Sequence, residues 1–133
     1  MLGKHYFLAL LSINKRLTPR TVVYTISVFM RDPTYYAYQY VTKKITAKLA
    51  DKHNVVLKEI EECFANRCGA DLTDNREQHA SDPPTRWFIA ATNHCRLLKV
   101  VYVLRDGDVH IRTAYEPNDT ELAIYRRHGG NTE

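Results

Sequence analysis

Apolar residues in the first half of the chain recur at helical spacing. Val41, Ile45 and Leu49 repeat every four residues, so that they share one helical face, and the pattern stops near His53 and Asn54. This pattern predicts a first helix that begins at Val41 and buries one side.

A second apolar stripe predicts another helix over residues 56–66. Leu57, Ile60 and Phe64 fall on one face of this helix, and Gly69 follows at a position suited to a C-terminal cap. Two consecutive helices are therefore expected before the first strand.

Three later segments have the composition of strands, being rich in β-branched and aromatic residues. They are Arg86–Thr92, Leu97–Leu104 and Val109–Ala114. Asn93-His94 supplies a tight turn between the first two, and Asp106-Gly107 is a strong two-residue hairpin signal between the last two. The pattern predicts an antiparallel meander.

A final helix closes the predicted α-α-β-β-β-α order. Asn118 with Glu121 three residues later is an N-terminal capping pattern, and Gly129 stands at the C-terminal end. We expect an α+β fold in which a small antiparallel sheet packs with two N-terminal helices and one C-terminal helix. Residues 30–133 are predicted to form a single domain, with residues 1–29 as an N-terminal extension of undetermined role.

Composition agrees with one compact domain but hides a charge asymmetry. The chain has 133 residues, 44% hydrophobic and 26% charged, with a formal net charge of +4. Most of the basic excess lies in residues 1–58, whereas acids outnumber bases in residues 59–133. Such a basic region favours phosphate-rich or acidic partners through long-range attraction.

The first predicted helix carries a row of lysines on its outer surface. Lys44, Lys48 and Lys52 follow at i, i+4 and i+8, where like charges repel one another. The row is either a contact surface for a phosphate or an acidic protein, or a solvated face whose repulsion the fold tolerates.

Cysteine usage and motif searches exclude several classes of protein. Cys63, Cys68 and Cys95 cannot all pair within one chain and lack the spacing of a zinc site, so we expect a cytoplasmic protein with no metal or other cofactor. No apolar run approaches the ~20 residues that span a bilayer, so no membrane association is expected. Gly-rich phosphate loops, nucleophile elbows and zinc-protease helices are absent from the sequence.

Five short motifs within residues 40–128 fit one known pattern when taken together. They are Lys52-His53-Asn54, Arg86-Trp87, Cys95–Tyr102, Ile111–Tyr115, and Glu121 with Tyr125. These resemble the BrnT family of toxins, which has Lys-His-Gly, Arg plus an aromatic residue, Gly-Arg-Leu-Leu-x-Val-Val-Tyr, Ile-Arg-x-x-Ser-Ala-Arg and Glu-x3-Tyr at these places. The chain departs from the family at Asn54 and Cys95, where the family has Gly, and at Tyr115, where the family usually has Arg.

The resemblance implies a fold similar to that of RelE-type ribonuclease toxins. It further implies a toxin of a type II toxin-antitoxin system that cleaves RNA without a metal ion. The implied partner is a cognate antitoxin that also binds DNA, and the expected assembly is a homo-oligomer or a toxin-antitoxin heterotetramer. RNA carries its own nucleophile, the 2′-hydroxyl, so that proton transfer and charge stabilisation suffice for cleavage.

Under this hypothesis four residues are assigned to catalysis. His53 transfers protons, Lys52 and Arg112 stabilise the phosphate charge, and Tyr115 positions the substrate or donates a proton. Two of them, His53 and Arg112, have a structural alternative. His53 would cap the first helix, and Arg112 would form an ion pair with Glu116 or Glu121.

Five further residues are candidates for substrate binding. Lys44 and Lys48 lie on the lysine row, Arg86 opens a strand, and His110 shares a predicted strand face with Arg112. His79 lies in the polar loop of residues 71–84, where it is either solvated or able to swing onto substrate.

Two other classes of function compete with the nuclease. In the first, the chain is a catalytically inactive module that binds protein or RNA. Tyr115 favours this hypothesis, because the family usually has Arg at that position. In the second, it is a hydrolase acting on ADP-ribosylated protein, for which the sequence contains no explanatory set of residues.

Overall fold

The computed structural model describes residues 16–18, 21–24 and 39–130. The elements in chain order are β1 Arg16–Thr18, β2 Thr21–Tyr24, β3 Gln39–Thr42, α1 Lys43–His53, α2 Leu57–Ala65, β4 Leu72–Thr73, a 3₁₀ turn Glu77–His79, β5 Thr85–Ala91, β6 Leu97–Arg105, β7 Asp108–Tyr115 and α3 Asp119–His128. The chain is therefore α+β, as the sequence predicts.

The strands form one sheet in the order β1-β2-β3-β7-β6-β5-β4. The predicted meander is confirmed, because β5, β6 and β7 pair antiparallel in succession. The expectation of a purely antiparallel sheet is wrong, because β3 pairs parallel with β7. After β3 the chain forms the two helices and re-enters the sheet at the β4 edge, from which the later strands run back towards β3. A connection of this kind, which contains helices, allows β3 and β7 to lie parallel.

The described part of the predicted N-terminal extension belongs to this same sheet. β1 pairs antiparallel with β2, and β2 pairs antiparallel with β3. The remainder of residues 1–29 lies outside the described residues.

The start of α1 differs from the prediction by two residues. Val41 is buried within β3, and Thr42 is the N-cap, with its Oγ1 accepting a hydrogen bond of 3.2 Å from the backbone N–H of Ile45. Threonine is a favoured cap because its hydroxyl satisfies an otherwise unpaired N–H of the first turn. The helical spacing of Val41 is therefore accidental, and its burial comes from the sheet.

Gly69 also has a role different from the predicted one. Asn66 ends α2, whereas Gly69 packs against the ring of Tyr125 in α3. A Cβ atom at Gly69 would lie 2.4 Å from the Tyr125 hydroxyl, so only glycine fits this contact.

The core has two layers, because the helices cover both faces of the sheet. On one face, the ring of Phe64 in α2 lies 4.8 Å from that of Phe88 and 5.7 Å from that of Tyr102. On the other face, the rings of Trp87 and Tyr125 lie 5.8 Å apart. Successive strand residues point to opposite faces, so Trp87 and Phe88 serve different layers.

The hairpin between β6 and β7 matches its sequence signal. Asp106 and Gly107 have φ values of 52° and 82°, the left-handed backbone that a two-residue turn of this type requires. Across the described residues, no helix is both long enough and apolar enough to span a bilayer.

Candidate functional site

A cavity of about 380 Å³ opens on the sheet face that carries α3. The loop before β5 and the three strands of the meander surround it. Its lining residues are Asp74, Arg76, His79, Ala80, Ser81, Thr85, Trp87, Lys99, Val101, Arg112, Thr113 and Tyr115.

Three of the residues singled out in the sequence meet at this cavity. His79 comes from the 3₁₀ turn, Arg112 from the middle of β7 and Tyr115 from its end. The fold thus joins a loop residue to two strand residues that lie far from it in the sequence.

Arg112 reaches the cavity because β7 is irregular at this point. Val101 pairs with Thr113 and Tyr102 pairs with Ile111, which leaves Arg112 as the extra residue of a β-bulge. Bulges re-aim side chains and are common next to active sites. The Arg112 side chain is exposed and projects from the sheet.

Neither carboxylate proposed as an ion-pair partner of Arg112 binds it. Glu116 accepts a hydrogen bond of 2.7 Å from Arg96, and Glu121 lies 3.5 Å from the Lys99 ammonium. Within residues 39–130, Arg112 makes no ion pair with any carboxylate. Its guanidinium is therefore available to an anion.

Lys99 is the main site residue that the sequence pattern did not single out. It is 8% exposed, and its Nζ lies 4.3 Å from the centroid of the Trp87 ring and 5.7 Å from that of Tyr115. Lys99 is the one charged residue of the apolar run 97–104, and strand alternation places it beside the cavity. A single charged residue within an apolar strand is therefore the sequence feature that could have identified Lys99.

Tyr115 is held in the cavity wall by Glu121. Its hydroxyl donates a hydrogen bond of 3.1 Å to Glu121 Oε1. Burial, followed by the charge of Glu121, raises the pKa of Tyr115 to about 12. The hydroxyl therefore stays protonated at neutral pH and acts as a donor.

Arg76 and Asp74 form a bidentate ion pair at the rim of the cavity. Arg76 Nε and Nη2 donate hydrogen bonds of 2.8 and 2.6 Å to the two oxygens of Asp74. These bonds lower the pKa of Asp74 to about 2. The backbone N–H of Asp74 also donates to the carbonyl of Thr85 at 2.8 Å, which ties the rim to β5.

His53 lies next to the cavity but does not line it. It is the last residue of α1, and its ring centroid is 5.5 Å from that of Tyr115. Its proposed role as a helix cap falls to Arg96, which donates hydrogen bonds of 3.1 Å to the His53 carbonyl and 2.8 Å to the Asn54 carbonyl. The His53 ring thus packs against Tyr115 at the edge of the cavity.

Lys44, Lys48 and Lys52 are exposed on the outer face of α1. None of the three lines the cavity, and none pairs with a carboxylate among the described residues. The row predicted from the sequence therefore exists as an exposed basic surface.

Arg86 and His110 lie outside the cavity. Arg86 sits between Thr85 and Trp87, both of which line the cavity, so alternation directs it to the opposite face. The His110 ring stacks on that of Tyr40 at 4.7 Å, and burial lowers the pKa of His110. His110 pairs with Val103, which pairs with the cavity-lining Thr85, so His110 lies on the same sheet face as Arg112 but outside the cavity itself.

The cavity as a whole favours an anion. Three cations line it, Arg76, Lys99 and Arg112, against Asp74 in the lining and Glu121 behind it. In the part of the chain that the structure describes, no group of three or more His, Cys, Asp or Glu side chains is placed to hold a metal ion. An anionic ligand would meet side-chain cations here.

No protein-family model, no curated protein and no solved structure matches this chain.

Proposed function

We propose that the chain is a metal-independent endoribonuclease that cleaves RNA at this cavity, as the toxin of a type II toxin-antitoxin system. One observation carries the proposal. His79, Arg112 and Tyr115, chosen for their chemistry, converge with Lys99 on a single cavity. Together they offer a proton acceptor, two cations and a proton donor within one space.

In the proposed reaction the nucleophile comes from the substrate. His79 accepts the proton of the ribose 2′-hydroxyl, whose oxygen forms a new bond to phosphorus while the bond from phosphorus to the 5′-oxygen breaks. The products are an RNA ending in a 2′,3′-cyclic phosphate and an RNA starting with a 5′-hydroxyl. His79 replaces His53 in this role because only His79 lines the cavity.

Arg112 and Lys99 stabilise the charge that develops on the phosphate oxygens. A guanidinium can grip two oxygens at once, and Arg112 engages no carboxylate in the described residues. Lys99 is buried, so its charge acts through a medium less polar than water.

Tyr115 donates the proton that the leaving 5′-oxygen needs. Its raised pKa keeps the hydroxyl protonated at neutral pH, and the contact with His53 fixes the ring. The proton returns to Tyr115 from solvent, and His79 releases its own, before the next cycle.

The toxin assignment is supported by the resemblance to BrnT and by backbone geometry. Asn54 and Cys95 stand where that family has Gly, and they have φ values of 51° and 63°. Glycine is favoured in this left-handed conformation, so both positions have the backbone geometry that the family's glycines would suit. The RelE-like fold, the cytoplasmic location and a DNA-binding antitoxin belong to the same proposal. So does the assembly, which is a homo-oligomer or a toxin-antitoxin heterotetramer.

A second candidate function is an RNA-binding or protein-binding module without catalysis. The hydrogen bond from Tyr115 to Glu121 favours it, because a hydroxyl already bound to a carboxylate is less available to a leaving oxygen. The two functions share the same cavity and differ only in turnover.

The test is incubation of the purified chain with a defined RNA in EDTA. The nuclease produces fragments with 2′,3′-cyclic phosphate ends, and His79→Ala abolishes them while the circular dichroism spectrum is unchanged. A shifted band without fragments supports the binding module and contradicts the nuclease. If the experiment gave no fragments and no shifted band, both proposed functions would be contradicted.

A further inference from the structure

The N-terminal part of the lysine row of α1 breaks the rule that stabilises helix ends, whereas Lys52 in the last turn obeys it. The first turn of α1 contains no acid and begins with Lys43 and Lys44, although negative charge is favoured at a helix N-terminus. In contrast, α3 has Asp119 and Glu121 in its first turn and basic residues in its last. A local rule broken in one helix and obeyed in another is expected where function competes with stability.

The lysines of the row are also left without neutralising partners. Lys44, Lys48 and Lys52 follow one another at i+4, about 6 Å apart along the axis, and repel one another. Across residues 39–130 no carboxylate forms an ion pair with them. A polyanion would relieve this repulsion.

The row ends next to His53, which contacts a residue of the cavity wall. Lys52 precedes His53, whose ring contacts Tyr115, and Tyr115 lines the cavity. A chain with one phosphodiester in the cavity would therefore meet Lys52 first and Lys48 and Lys44 next.

We infer that α1 binds the backbone of single-stranded RNA as it leaves the cavity, with successive phosphates on Lys52, Lys48 and Lys44. This inference rests on the proposed nuclease function. A single strand fits because its phosphates can follow a straight row of charges one by one, whereas the contacts carry no base specificity.

The experiment compares a dinucleotide with an RNA of about 12 nucleotides, long enough to cover the row. In Lys44→Glu/Lys48→Glu, kcat/KM for the long RNA falls about tenfold more than kcat/KM for the dinucleotide, because only the long RNA reaches these residues. The salt dependence of long-RNA binding weakens by about 1.4 in log–log slope, since two phosphate contacts are lost. Lys58→Glu, an exposed lysine of α2, is the matched control and retains wild-type values for both RNAs.

Equal losses for the two RNAs, or wild-type behaviour towards the long RNA, would overturn the inference. Wild-type behaviour towards the long RNA would instead favour an acidic protein as the partner of the lysine row. If the wild-type chain cleaves no RNA, the nuclease proposal fails separately. In that case the inference stands only where Lys44→Glu/Lys48→Glu, and not Lys58→Glu, weakens binding of the long RNA.

Discussion

The ring of His53 packs against the ring of Tyr115, with centroids 5.5 Å apart and planes inclined by 36°. One residue ends α1 and the other ends β7, so this contact joins the first helix to the cavity wall. In the proposed mechanism, His53 therefore holds Tyr115 in place and does not itself react.

Substitutions at His53 separate these two roles. In the proposed mechanism, His53→Phe keeps a ring against Tyr115 and retains RNA cleavage within about threefold, whereas His53→Ala loses about tenfold or more because Tyr115 is less well positioned. Single-turnover cleavage rates provide the measurement. Equal loss in both variants would instead show that the imidazole itself takes part in proton transfer.

Arg96 is predicted to be an important stabilising residue away from the cavity. It binds the carbonyls of His53 and Asn54 and also the carboxylate of Glu59 at 2.9 Å. Arg96→Met removes these charged hydrogen bonds and is expected to lower the free energy of unfolding by roughly 2 kcal/mol. Urea denaturation measures the loss, and Arg105→Met, an exposed arginine of the hairpin, serves as its control.

The ion pair of Asp74 and Arg76 predicts a pH-dependent contribution to stability. The folded-state pKa of Asp74 is about 2, below the value near 3.9 expected for the unfolded chain, so the contribution is present above the unfolded value and disappears as the pH falls towards 2. Asp74→Asn should therefore destabilise the protein most above about pH 5 and progressively less on acidification. Urea midpoints of both proteins across this range test it, and a pH-independent difference would contradict it.

The three cysteines are predicted to differ in reactivity. Cys63 is fully buried, and burial raises the pKa of its thiol to about 12, whereas Cys68 and Cys95 are exposed. A thiol reagent at neutral pH should modify Cys68 and Cys95 in the native protein, and Cys63 only after denaturation, because the thiolate is the reactive form. Mass spectrometry of the labelled protein identifies the sites, and rapid native labelling of Cys63 would be inconsistent with the core described above.

Elements controlled by local rules could be predicted from the sequence. The capping pattern of Asn118 is seen in α3, where its side chain accepts a hydrogen bond of 2.8 Å from the N–H of Glu121. The two-residue turn at Asp106 and Gly107 needs only its own left-handed backbone. In both cases neighbouring residues determine the structure.

Features that depend on distant partners could not be predicted. The parallel pairing of Tyr40 with His110 joins strands far apart in the chain, and it stacks their rings away from the cavity. The bulge at Arg112 arises from pairing with β6, so alternation along β7 alone could not predict that Arg112 and Thr113 both line the cavity. The place of Lys99 at the site could not be predicted for the same reason, because its contact with Trp87 exists only once β5 and β6 pair.

Arg112 is proposed to bind the reacting phosphodiester, and one pair of variants isolates this role. Arg112→Met and Arg105→Met remove exposed arginines from the same hairpin, but only Arg112 lines the cavity. Single-turnover RNA cleavage in EDTA is predicted to fall about 100-fold or more in Arg112→Met and to change less than about threefold in Arg105→Met. Equal cleavage rates in the two variants would show that Arg112 does not bind the reacting phosphodiester.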